Sequence, residues 1–343
     1  MTGLCSVKKA YMSKSKIEWT EETWNPLIGC DKVSAGCKNC YAIKTAWIRM
    51  HNPKMAERYA GVVEKTAAGQ LNWTGKVNMI NEAFLKPVNQ KKPTIYFVNS
   101  MSDLFHESVP FEFINAVFMV MSDADHHIYQ ILTKRPERMV EFFEWKKQEF
   151  GIIWQPKPNV WLGVSVEDQK SADNRIPLLL QVPCSIRFLS CEPILGPIEI
   201  YKLLAYGEWA LNIDVHQTQK LHWVIAGGES GARATPMHPD WVRSLRDQCA
   251  SAGVAFFFKQ WGEYAPYRTK AAYSENRPLM FLEQNGEVSW WAGDDDTTIN
   301  YSTNYTGNGQ PMDKVGKKAA GRLLDGKLYD EYPKLRPNPI TGN

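Results

Sequence analysis

Three cysteines stand within eleven residues, as Cys30-x6-Cys37-x2-Cys40. Thiolates are strong ligands for iron and zinc. Two cysteines separated by two residues grip one metal ion or two corners of a cluster. Gly29, Ser34 and Gly36 between and beside them allow tight backbone turns. A four-iron cluster held by three thiolates keeps one iron free for a further ligand. A structural zinc site competes with that reading and needs a fourth ligand, for which His51 and Cys5 are candidates. Three unrelated core cysteines are the plainest alternative. Cys184 and Cys249 read as ordinary buried residues, as does Cys191, although it stands between Ser190 and Glu192. Seven cysteines in all, unevenly spaced, do not make a disulfide framework.

Further polar groups with chemical potential follow a series of short apolar runs. They are Asn99 to Asp103, Thr133-Lys134-Arg135, Ser165 with Glu167 and Asp168, Ser190 to Pro193, Gly227 to Ser230, and Lys259-Gln260-Trp261. Glu192 and Lys259 are candidates for an acid–base role or for pairing with each other as a structural bridge. His106, His126 and His127 read as surface or structural side chains.

The elements that must position these groups are legible in the same runs. Thr94–Val98, Ile128–Leu132, Val160–Val164, Ile186–Leu189, His222–Ala226 and Val254–Phe258 have strand length and are continuously apolar. That pattern belongs to strands buried on both faces, hence to a parallel sheet covered by helices. Helices are expected at Phe111–Met121, after Pro136, through Ala172–Leu180 and at Pro239–Ala252. With a strand near Thr23-Trp24-Asn25, the fold class is α/β, a partial β/α barrel of six to seven parallel strands. No G-x-G-x-x-G opens a helix, so an open or partial barrel fits better than a Rossmann sheet. Active sites of β/α barrels lie at the carboxyl ends of the strands, where all these polar groups fall.

The divisions are a tail over 1–16, the barrel over 17–265, and an irregular extension over 266–343. Within the extension, Pro266 to Pro311 is a candidate lid, and a helix is expected from Asp313 to Gly326. Gly196 to Lys220 reads as an insertion. The net charge is +3, from 40 basic and 37 acidic residues, which gives no support to a strongly basic nucleic-acid binder. No run of 18 apolar residues and no signal-peptide pattern is present, so the expected setting is cytoplasmic, with no membrane partner.

Trp24-Asn25-Pro26, Gly29-Cys30, Gly36-Cys37 and Asn39-Cys40-Tyr41-Ala42 resemble a group of phage and bacterial three-cysteine-motif proteins. So do Asn99 to His106, Leu132 to Arg138, Ser190 to Pro193 and Gly227 to Gly231. The match runs from about Ile17 to Glu263 and resumes near Gly316. That group in turn resembles the radical S-adenosylmethionine superfamily. The resemblance implies a [4Fe-4S] cluster on Cys30, Cys37 and Cys40, with S-adenosylmethionine on the free iron. It implies an enzyme that cleaves this cofactor reductively to a 5′-deoxyadenosyl radical. An electron donor such as a flavodoxin or ferredoxin would be its partner. The first cysteine gap here is six residues, where three is usual.

By the same resemblance, Asn99, Ser100, Ser102 and Asp103 would meet the methionyl amine. Lys134 and Arg135 would take its carboxylate or a substrate phosphate, and Ser165 and Glu167 the ribose hydroxyls. Gly227 and Gly228 would approach the adenine through their backbone. Glu229 would face cofactor or substrate, with Glu192 and Lys259 as the remaining catalytic candidates. The phage-like character brings in modification or repair of nucleic acid as one substrate class. The alternative function is a zinc-stabilised nucleic-acid processing or binding protein without radical chemistry.

Overall fold

The computed structural model describes residues 15, 17–151, 153–204, 220–266, 279–291 and 309–334. Its centre is one sheet of seven parallel strands: β1 (Glu22–Trp24), β2 (Ile95–Val98), β3 (Ile128–Thr133), β4 (Val160–Ser165), β5 (Ile186–Cys191), β6 (Trp223–Gly227) and β7 (Ala255–Gln260). They lie side by side in chain order. The sheet curls into a half-barrel. The expected seven runs are therefore the seven strands, with ends shifted by a residue or two.

Each long connection carries a helix. α1 (Tyr41–Met50) follows β1, and α2 (Phe111–Asp123), α3 (Pro136–Phe150) and α4 (Gln169–Gln181) follow the next three strands. α5 (Pro239–Ala252) follows β6. Pro136 and Pro239 sit in the first turn, where no amide hydrogen bond is lost. No helix among the described residues is long and apolar enough to cross a membrane.

The apolar runs divide between two faces by the strand period of two. Tyr96, Val98, Ile131, Leu162, Val164 and Leu189 face the helices in the main core. Phe97, Trp161, Phe188, Trp223 and Phe257 face inward and pack with Trp19. Trp19 meets Phe97 edge-on at 4.8 Å and Trp223 at 6.1 Å. This aromatic layer closes the half-barrel beneath the carboxyl ends of the strands.

A third, smaller core supports the cysteine loop. Ala42, Ile43 and Ala46 of α1 pack on Tyr59, Val62 and Trp73, with Cys30 and Cys40 against them. Two short antiparallel pairs, Val63–Lys65 with Leu71–Trp73 and Leu27–Ile28 with Asn78–Met79, frame that core.

The extension is more ordered than expected. β8 (Tyr264–Pro266), β9 (Leu279–Leu282), β10 (Val288–Trp291) and β11 (Gln310–Lys314) form an antiparallel sheet in the order β8-β11-β9-β10. Most of the segment read as a lid lies outside the described residues, as do Cys5 and most of the Gly196–Lys220 insertion. The helix expected from Asp313 to Gly326 is absent. Asp313 pairs with Ala265 across the antiparallel sheet, and only Lys317–Ala320 is helical. Gly316, Gly321 and Gly326 all take positive φ, which breaks any longer helix into turns. The chain there runs beside β7 instead. Phe258 donates its amide to the Tyr329 carbonyl, and Glu331 its amide to the Phe256 carbonyl. The sheet edge at β7 is thereby covered.

Candidate functional site

The loop from β1 to α1 carries the three cysteines over the carboxyl ends of the strands. All six described cysteines are free thiols. Cys30, Cys37 and Cys40 line one cavity of about 290 Å3, near the lower end of the range for small-ligand sites. Asn99, Asp103, Glu192, Glu229 and Lys259 line the same cavity. Ser100, Ser102, Lys134, Arg135, Ser165 and Gly228 also reach its wall, whereas Glu167 and Gly227 stand behind it. Cys184, Cys191 and Cys249 are buried away from it, and burial pushes their thiols up.

Beneath the loop lies a set of saturated charges. The Asp103 carboxylate accepts from the Phe105 amide at 3.0 Å and the Thr133 hydroxyl at 2.8 Å. It also accepts from the Lys134 amide at 3.0 Å and Arg135 Nη1 at 3.1 Å. Those four bonds tie the end of β2 to the end of β3 through Asp103, which also lines the cavity. Arg135 also pairs with Asp31, and its Nη1 lies 4.0 Å from the Cys30 sulfur. Ser102 donates to the Leu27 carbonyl and Ser100 to Asn25 Oδ1. Both protons are thus directed into the protein, and the hydroxyl oxygens keep lone pairs that can accept.

Glu167 is the second anchor. It accepts from Lys134 Nζ, from Ser34 Oγ at 2.6 Å and from Arg175 Nη1 at 2.7 Å. Its position is set by the start of α4, where the Ser171 hydroxyl accepts from the Glu167 and Asp168 amides. Burial alone would raise the Glu167 carboxyl, but Lys134 and Arg175 together hold it at about 2. Ser34 belongs to the cysteine loop, so this carboxylate clamps the loop to β3 and β4. A Cβ on Gly36 would fall 2.5 Å from Glu167 Cγ, which only glycine avoids.

The opposite wall is built differently. Glu192 accepts from Trp19 Nε1 at 3.2 Å and Ser190 Oγ at 3.1 Å, and its other oxygen lies 3.0 Å from Lys259 Nζ. The bridge foreseen between Glu192 and Lys259 is formed, and both side chains still reach the cavity. Glu229 accepts from the Thr235 amide at 2.7 Å. Gly228 passes against β7, where a Cβ would lie 2.0 Å from the Trp261 carbonyl oxygen.

Asn99 stands between the two walls. It is 3% exposed and has φ of +63°, a left-handed backbone that asparagine tolerates better than most residues. Neither side-chain amide atom meets a hydrogen-bond partner among the described residues. An unpaired buried polar group costs about 1–3 kcal/mol, which a ligand with both donor and acceptor groups would offset.

The thiols do not converge on one point. Among the described residues no group of three or more His, Cys, Asp or Glu side chains is arranged to hold a metal ion. His51 is not a fourth ligand either. It ends a ten-residue helix that begins after Cys40, which puts it about 15 Å along the axis, and its Nδ1 faces the Trp47 carbonyl. A single ion needs ligand atoms about 2.3 Å from one centre. A cluster accepts thiolates that each meet a different iron. Burial, with Asp103 nearby, pushes the Cys30 thiol up to about 12, so a metal would have to displace its proton.

Asp31, Ser34, Arg175 and Trp19 were not among the sequence candidates. Asp31 and Ser34 had their position in the cysteine loop as a signal. Arg175 had only its spacing from Glu167, two turns along the chain. The model of the family described as "Protein of unknown function (DUF5131)" matches residues 14–333, and the chain belongs to that family. No curated protein and no solved structure matches the chain.

Proposed function

We propose that this member of a family of unknown function is a radical S-adenosylmethionine enzyme. One observation carries the reading: three free thiols on a single loop share a cavity with a buried asparagine amide that has no partner among the described residues, at the carboxyl ends of parallel strands. Cys30, Cys37 and Cys40 would hold a [4Fe-4S] cluster, and Asn99 would offer its amide to the amino-acid end of S-adenosylmethionine. When bound, this pair supplies one-electron cleavage of the sulfonium to a 5′-deoxyadenosyl radical, with the electron coming from a flavodoxin- or ferredoxin-like partner.

The protein's own part is to bind, orient and exclude water. The clamp of Ser34 on Glu167 fixes the cysteine loop against the strands. The aromatic layer around Trp19 closes the floor and keeps solvent from entering from below. Glu192 and Lys259 form the wall across from the cysteines, where they would meet the substrate and hold or move a proton.

The test is anaerobic reconstitution followed by iron, sulfide and zinc analysis, alongside Cys37→Ala. The expected result is about four irons and four sulfides per chain, lost in the variant. S-adenosylmethionine and a reductant should then yield 5′-deoxyadenosine. About one zinc and no sulfide after reconstitution would overturn the proposal.

A further inference from the structure

We infer that Arg135 is a positioning residue that holds the Cys30 sulfur and sets the reduction potential of the cluster bound there. The inference rests on the proposed function and deepens it. It replaces the role expected for Arg135 as a binder of carboxylate or phosphate.

The guanidinium is almost fully buried, with 9% of its side chain exposed. Its Nη1 bonds Asp103 at 3.1 Å and lies 4.0 Å from Cys30 Sγ, while Nη2 pairs with Asp31. Three partners thus fix one planar group, and none of its known bonds points to a free ligand. Asp103 is itself held by three further donors, so the guanidinium cannot shift without disturbing β2 and β3.

Asp31 connects the group to His106, whose Nε2 lies 3.1 Å from Asp31 Oδ1. His106 Nδ1 accepts from the Ser108 amide, which leaves Nε2 as the nitrogen bearing the proton. The set beside Cys30 is therefore one fixed cation flanked by two carboxylates. Asp103 is buried, whereas Asp31 is half exposed and partly screened by water.

Reducing a cluster adds one negative charge. A buried cation beside a ligating sulfur stabilises the reduced form, and a donor to that sulfur does the same. Removing Arg135 should make the potential more negative. Removing Asp31 should make it less negative, since a negative charge is lost while the cation stays. A residue that only supported the fold would not give opposite signs.

The experiment is an EPR-monitored redox titration of the reconstituted full-length protein, with iron and sulfide counted in each sample. Arg135→Met is expected to lower the potential, Asp31→Asn to raise it, and Arg135→Lys to stay near the native value. Should Arg135→Met fail to fold, Arg135→Gln, which removes the charge but keeps a planar polar group, carries the lowering arm of the test beside Asp31→Asn. Fully loaded clusters with unmoved potentials, or shifts of one sign in both charge-removing variants, would overturn this inference alone. No cluster in the unmodified chain would overturn it together with the proposed function.

Discussion

The two walls of the cavity hold similar numbers of charged groups and use them in different ways. On the cysteine side, Asp103 accepts four hydrogen bonds and Glu167 is paired with Lys134, Arg175 and Ser34. Those carboxylates are fastened to the protein, and their work is to keep a short loop in place. Across the cavity, Glu192 meets Trp19, Ser190 and Lys259, and both it and Lys259 remain in contact with the open space. Asn99, at the junction, has a buried amide with no partner among the described residues. The difference teaches that a polar residue at a strand end is not by itself a ligand contact. What its atoms already bond decides.

The largest test of this contrast is Glu167→Gln. Losing one partner of a buried ion network costs about 3–5 kcal/mol. Glu192 and Lys259 are partly exposed, at 12% and 19%, so water screens that pair and Glu192→Gln should cost only about 1 kcal/mol. Denaturant unfolding of both variants compares them directly, and equal losses would erase the distinction. The same carboxylate predicts an acid dependence. Because its folded value lies below the ordinary range, its contribution is present above about pH 4.5 and is lost as pH falls toward 2. The unfolding midpoint of the native protein should drop over that window more steeply than that of Glu167→Gln.

Gly36→Ala comes next. It forces a methyl group against Glu167 and should cost about 1–3 kcal/mol, read from a thermal melt. A neutral result would mean that the loop is not clamped there. The smallest effect is expected from Asn99→Gly, which keeps the left-handed backbone and removes the amide. Losing the unpaired amide relieves about 1–3 kcal/mol and glycine's added chain freedom costs about 0.5–1 kcal/mol, so the cofactor-free protein should be no less stable, while S-adenosylmethionine binding to the reconstituted protein weakens about tenfold. Unchanged affinity in equilibrium dialysis would remove Asn99 from the site.

The half-barrel was legible because both of its faces are dry. Val160-Trp161-Leu162 alternates between inner and outer cores, and both are apolar, so the run is unbroken. The cysteine triplet was legible from spacing alone. The anchoring of charges was not, because Ser34 and Glu167 are 133 residues apart and a saturated carboxylate has the same letter as a free one. Asp103 and Glu167 were read as cofactor contacts, and the protein bonds they also make could not be read from their letters. The extension was misread where glycines at 316, 321 and 326 cut an apparently helical stretch.

A closed barrel has no sheet edges, but a half-barrel keeps two. Here the segment from Gly321 to Glu331 bonds along β7, with Trp261 and Phe258 donating to it and an antiparallel bridge between Phe257 and Asp330. That segment acts as a shield against templating. A variant shortened before Gly321 would bare a strand reading Ala-Phe-Phe-Phe, apolar and ready to pair with its like in another copy. Loss of solubility, ahead of any loss of chemistry, would be its first symptom.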